Sequence, residues 1–271
     1  MKLSKRTIPV LIFCIAALST IILLPSLLNP KSGMQYTIDH AVDYLKNTDE
    51  PYALLWCNVM CRRFGITESS GPLERYDQIL AQSDDAALLR IFRRIADHNN
   101  VLRTEDLEAL TADVDKFVVP ALYCDQMELP DNYIEMLENA ASLGDYQLTH
   151  VLLAWIFIQE NGCNLSLPDG FIEGTYLATA ALIDNDQTVN DKELEAAAFL
   201  YLAGQGNLVD RIFVEKVISA QHTDAGWSIT GKTTDESNWH PTILALLLLL
   251  HIENPANSYP PILDPAPSEN M

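Results

Sequence analysis

Apolar residues recur along most of this chain at steps of three and four, as in Ile79, Leu80, Ala87, Leu88, Ile91, Phe92 and Ile95. That period puts them on one face of an α-helix, and no run shows the apolar–polar alternation of a half-buried strand. Three richer segments stand out: "THVLLAWIFI" from Thr149, "EAAAFLYLAG" from Glu195 and "PTILALLLLL" from Pro241, each starting 46 residues after the one before. A fourth, "PYALLWCNVMC", starts at Pro51, roughly two such periods upstream of Thr149. Each is apolar around most of its circumference, which predicts burial on several sides. The intervening segments are amphipathic: "NLVDRIFVEKVISAQ" sets Val209, Ile212, Phe213, Val217 and Ala220 on one stripe.

Apolar helices alternating with amphipathic ones pack well as an inner set surrounded by an outer set. The expected fold is therefore all-α: an α/α toroid of helical hairpins spanning residues 34–254, with an open solenoid as the alternative. Residues 65–130 should hold one or two less regular hairpins. Residues 255–271, rich in proline and without periodicity, read as a flexible tail.

The first thirty residues have another character. Lys2, Lys5 and Arg6 precede an uncharged run of 22 residues from Thr7 to Leu28, longer than the ~20 needed to span a bilayer. No small-x-small cleavage site follows, so a signal-anchor is favoured over a cleaved secretory signal. The basic flank puts the N-terminus in the cytoplasm and residues 34–254 on the outer face, which is the periplasm in a bacterium. The chain carries 17 Lys and Arg against 37 Asp and Glu, a formal charge of −20, which disfavours nucleic acid as a partner. The expected partners are the membrane through the N-terminal helix, and a small-molecule, glycan or protein ligand. Cys57, Cys61, Cys124 and Cys163 lie beyond the span. They read either as buried free thiols or as two disulfides in one of three pairings.

The stretch from Gln221 to His251 reads as a helix end, a turn at Asp224 and Gly226, a polar loop, and a new helix with Pro241 in its first turn. His240, preceding proline, suits an N-cap. With Gln221, Asp224, Gly226 and Trp227 at the turn, and His240, Thr242, Ala245 and Leu246 at the helix start, this stretch resembles the repeat of the terpenoid cyclase and protein prenyltransferase superfamily. Ala225 departs from it, standing where the repeat has glycine. The resemblance implies an α/α toroid in which Gln221 and Trp227 tie hairpins together. It does not imply the family's chemistry. The nearest string to the cyclase acid motif, "DNDQ" at 184–187, lacks its last Asp, and none of the cysteines outside the span has the Asp two positions earlier that the prenyltransferase zinc site needs.

In a toroid the N-termini of the inner helices open at one end. The candidate catalytic residues there are His150, Glu195 and His240, with Trp239, Tyr52, Glu50 and Asp49 as ligand-binding candidates. A His–Glu–His set suits zinc or general acid–base work; no metal or cofactor is otherwise indicated. His40, His98, His222 and His251 read as surface or helix-end residues. The leading functional expectation is a ligand- or partner-binding domain. A carbohydrate-active or other hydrolase or lyase using His150, Glu195 and His240 is the alternative. Terpenoid or lipid chemistry ranks third, by analogy of fold alone.

Overall fold

A computed structural model describes residues 30–265 apart from 67–70, 85, 185, 187 and 257. The expected membrane-spanning segment lies outside the described residues, and no helix among those described is long and apolar enough to cross a membrane. The regular elements among the described residues are all helical. Its α-helices are α1 (Pro30–Leu45), α2 (Pro51–Phe64), α3 (Pro72–Gln82), α4 (Ala87–Phe92), α5 (Asp115–Leu122), α6 (Tyr133–Leu143), α7 (Asp145–Glu160), α8 (Phe171–Ala180), α9 (Asp191–Leu202), α10 (Arg211–Ser219) and α11 (Trp239–Glu253). The strand-like feature among the described residues is an isolated bridge between Trp227 and Asn238.

The apolar segments set the packing. Every residue from Pro241 to His251 in α11 is buried, and α7 and α9 are buried almost as completely. Helices α5, α7, α9, α11 and α2 touch one another in that order; α6 and α8 lie against α7, α1 against α11, and α3 against α2. Amphipathic α10 turns Phe213, Val214 and Val217 inward, whereas Ile212, expected on the buried stripe, is exposed.

Helix starts follow local chemistry. Pro51 and Pro72 open α2 and α3, where a missing N–H costs nothing. Asn190 and Glu193 form a reciprocal capping box on α9. Asn238 caps α11 by accepting from His240 N at 2.9 Å, so the cap is Asn238 and His240 is the second residue of the helix. A side-chain oxygen two residues before the amide it accepts is the better cap, which is why proline at 241 did not decide the position.

The turn before α11 is a clasp. Gln221 Nε2 donates to Thr37 O on α1 at 2.9 Å and to Ala225 O at 3.0 Å. Buried Trp227 donates through Nε1 to Val217 O at 2.9 Å and through its backbone N–H to Thr242 Oγ1 at 3.1 Å. Asp224 accepts from Ser237 Oγ at 2.7 Å and from Gly226 N at 3.3 Å. A Cβ on Gly226 would come within 2.6 Å of Ser237 Cβ, so the turn closes only over a glycine. Ala225 sits at φ 77°, in the left-handed region that favours glycine.

Residues 258–265 depart from the flexible tail expected over 255–271, of which 266–271 lie outside the described residues. Ile262 and Leu263 are buried, and the chain around them is held from several sides. Arg62 donates to Pro261 O at 3.3 Å and Ile262 O at 2.6 Å, Glu160 accepts from Ile262 N and Leu263 N at 2.9 Å, and Asp264 N donates to Ile95 O at 2.9 Å. Proline density misled here: a strap whose carbonyls face arginines and whose two apolar residues point inward needs no periodicity. Near it Cys124 and Cys163, just past the ends of α5 and α7, form a disulfide, while Cys57 is a buried thiol. The cysteines thus divide between the two expected readings. Burial, then the neighbouring Cys61, pushes the Cys57 thiol up to about 12, which makes it inert.

Candidate functional site

Helices α2, α5, α7, α9 and α11, with Phe92 at the end of α4 and Ile95 just beyond it, line one cavity of about 160 Å³. Its aromatic lining is Tyr52, Trp56, Phe92, Phe157, Phe199 and Trp239, and its ionisable lining is Asp115, His150, Glu195 and His240. Tyr52 stacks near Trp239 with ring centroids 6.4 Å apart, and Trp56 near Phe199 at 6.3 Å. The expected trio therefore meets, together with Tyr52 and Trp239. Two of them lie deeper than a first turn, however: His150 is the sixth residue of α7 and Glu195 the fifth of α9. Asp49 and Glu50 do not join them. Asp49 is 85% exposed and pairs with Arg75, and Glu50 takes the N-cap of α2 outside the cavity lining. A charged pair on the outside costs less than an acid brought to the mouth without a partner.

Buried Glu195 is the hub. Its Oε1 accepts from Thr149 Oγ1 and lies 3.4 Å from His150 Nδ1, and its Oε2 lies 3.6 Å from His240 Nε2. His240 donates from Nδ1 to Asp191 Oδ1 at 2.8 Å, and Tyr146 OH donates to Asp191 Oδ2 at 2.7 Å. His150 donates from Nδ1 to Tyr146 O at 2.7 Å, which leaves its Nε2 without a partner among the described residues. Each imidazole thus has its tautomer and orientation fixed by the bond at Nδ1.

Electrostatics follow from the same contacts. Burial opposes charging His240, but the Asp191 bond and charge, with the Glu195 charge, prevail and raise it above the ordinary histidine value. Burial likewise opposes charging His150, and the Glu195 and Tyr146 contacts with the Asp115 charge raise it on balance. Asp115 is raised by burial, with His150 pulling the other way. Tyr146 is pushed up by burial and by its bond to Asp191.

Asp191, Tyr146, Asp115, Trp56, Phe92 and Phe199 escaped the sequence reading. Asp191 and Asp115 each open a helix, a position that a carboxylate takes for the dipole alone, so nothing local marked them as site residues. Phe92 belongs to an irregular stretch whose place in space no period reveals.

His150, Glu195 and His240 do not converge as metal ligands do. Among the described residues, the cluster whose donor atoms all lie within 4.8 Å of one another is Asp184, Asp186 and Glu193. There Glu193 already accepts the backbone N–H groups of Asp184 and Asn190. A larger, shallower groove of about 600 Å³ lies beside the disulfide, lined by Asp125, Glu128, Asp131 and Tyr133 among others, without a histidine or a free thiol. Acid–base chemistry is concentrated in the smaller cavity. His251, expected as a surface or helix-end residue, lies in the last turn of α11 and is buried.

No family model matches the chain, and comparison with curated proteins and with solved structures gives no match either.

Proposed function

We propose that this chain is an outward-facing, membrane-anchored α/α-toroid domain whose inner helices α5, α7, α9, α11 and α2 surround an acid–base site, and that it is a hydrolase or lyase. The carrying observation is a buried carboxylate, Glu195, set between two imidazoles at 3.4 and 3.6 Å on the wall of a cavity. His240, oriented by Asp191, supplies a proton to a departing atom of the ligand. His150 takes one at its open Nε2. The proton taken up leaves again from His150 Nε2 and His240 regains one at Nε2 through the cavity, each imidazolium stabilised in turn by Glu195, so that both Nδ1–H bonds persist through this relay. A buried relay of this kind suits proton transfer near neutral pH.

The absence of Lys and Arg from the lining speaks against diphosphate substrates, and so against terpenoid chemistry. The outward location is supported by Lys2, Lys5 and Arg6 before the apolar run and by the Cys124–Cys163 bridge, which fits an oxidising compartment. Recovery with membranes on cell fractionation is expected; soluble protein beginning near Lys31 would instead identify a cleaved signal.

The relay is tested by histidine-resolved NMR titration of the full chain and of Glu195→Gln. Both His150 and His240 should titrate at lower pH in the variant, because the carboxylate charge that favours each imidazolium is gone. Histidines that titrate unchanged would sink the relay. Should both shift while no acid–base turnover is found across a panel of esters, glycosides and amides, the site is a binding cavity.

A further inference from the structure

The cavity has a charge balance that selects its occupant. Asp115 and Glu195 line it with the imidazoles of His150 and His240, Asp191 stands behind His240 on its Nδ1, and no Lys or Arg lines the space. Ionised carboxylates outnumber imidazolium charges even when both histidines are protonated, so the site stays net negative. Within the set, Glu195 and Asp191 are held by Thr149, His150, His240 and Tyr146. Asp115 has no such support. The first residue of α5, it lines the cavity without a hydrogen-bond donor among the described residues, with His150 as the one charge that stabilises its ionised form.

Tyr52, Trp56, Phe92 and Trp239 line the same cavity, and the π-electrons of such rings attract positive charge and repel negative. Size sets a further limit. A cavity of about 150 Å³ holds a molecule as large as benzene, and this one has about 160 Å³. Such a space takes about six or seven heavy atoms. The molecule as a whole, at −20, gathers cations towards its surface.

We infer that the site takes a compact organic cation, an amine or methylated ammonium, with its charge on Asp115 and its alkyl groups against Tyr52, Trp56 and Trp239. This assignment rests on the cavity being the functional site, and it names the ligand class that the acid–base reading left open.

Isothermal titration of the full chain with an isosteric series tests it: choline, neutral 3,3-dimethylbutan-1-ol and anionic 3,3-dimethylbutanoate. Choline should bind at least about tenfold more tightly than the alcohol, with the acid weakest. Asp115→Asn should remove most of that preference while shifting the unfolding midpoint little, since Asp115 has no side-chain hydrogen bond to lose and asparagine is tolerated at a helix start. If that variant does not fold, Trp239→Leu should lower choline affinity about threefold to tenfold. Equal binding of choline and the alcohol, preferred binding of the acid or of methyl glucoside, or a preference that survives both substitutions would overturn the assignment. The histidine titration of Glu195→Gln is read separately, so the cation can fail while the relay stands, and the reverse.

Discussion

Helix α11 carries a histidine near each end, and the two behave oppositely. His240, at the N-terminal end, is raised by Asp191 and Glu195 despite its burial. His251, at the C-terminal end, is lowered to about 4 by burial and by Arg63. The helix dipole alone predicts the reverse, since it disfavours an imidazolium at the N-terminus and favours one at the C-terminus by about 0.3–1 kcal/mol. Side-chain partners and desolvation therefore outweigh the backbone field at both ends. His251 donates from Nδ1 to Leu247 O at 2.8 Å and accepts at Nε2 from Arg63 Nε at 3.1 Å, so a second proton has nowhere to go. His240 Nε2 faces a carboxylate instead, and welcomes one. One end of the helix set is stocked with exchangeable protons; the other is sealed by the strap, the arginines and the disulfide.

If the sealed end serves stability and the open end serves chemistry, disturbing the first should cost folding free energy and leave the second intact. Reducing Cys124–Cys163, which spans 39 residues, should have the largest effect, roughly 4 kcal/mol on the chain-entropy account. Urea unfolding with and without reductant measures it, and a loss below about 1 kcal/mol would mean that the strap alone closes this end. Ile262→Ala comes next, at about 3 kcal/mol, because a fully buried branched side chain leaves a cavity. The His150 and His240 titrations should not move in that variant; if they do, the ends are coupled.

Acid should act on His251 with nearly the same size. Its folded value of about 4 lies below the ordinary 6.5, so the unfolded chain takes up the proton first. Stability present above pH 6.5 is lost as pH falls towards 4, about 3 kcal/mol in all, and levels off below. His240 and His150 carry the opposite sign: their contribution is complete below the ordinary histidine value and is lost as pH rises through their raised folded values. Denaturation across this range should show His251→Gln flattening the acid limb only. A flattened alkaline limb would reverse the comparison.

The smallest expected effect lies in the clasp beside the mouth. Ala225→Gly should stabilise by about 1 kcal/mol, since it relieves a left-handed alanine. A destabilised variant would show that the methyl group makes a contact worth more than the strain.

Much of this arrangement was legible along the chain. The starts at Thr149, Glu195 and Pro241 found three of the cavity's helices, and the Gln221–Trp227 turn marked where α10 hands over to α11. The strap was not legible, because Tyr259–Asp264 is held by Arg62, Arg63 and Glu160 from distant parts of the chain. Asp115 was hidden for a related reason. Its helix is eight residues long with proline inside it, too short for a period to announce it.

Period and residue type were enough to make the described chain helical, to mark which segments are buried, and to show which side chains are able to carry protons. The tertiary structure alone decided that Glu195 stands between His150 and His240, that Asp49 turns away to Arg75 while Asp115 faces the cavity, and that one histidine of α11 is charged more easily than the other. Those outcomes depend on distances of a few ångströms between residues dozens of positions apart. No local pattern encodes such distances; the packing of the helices sets them.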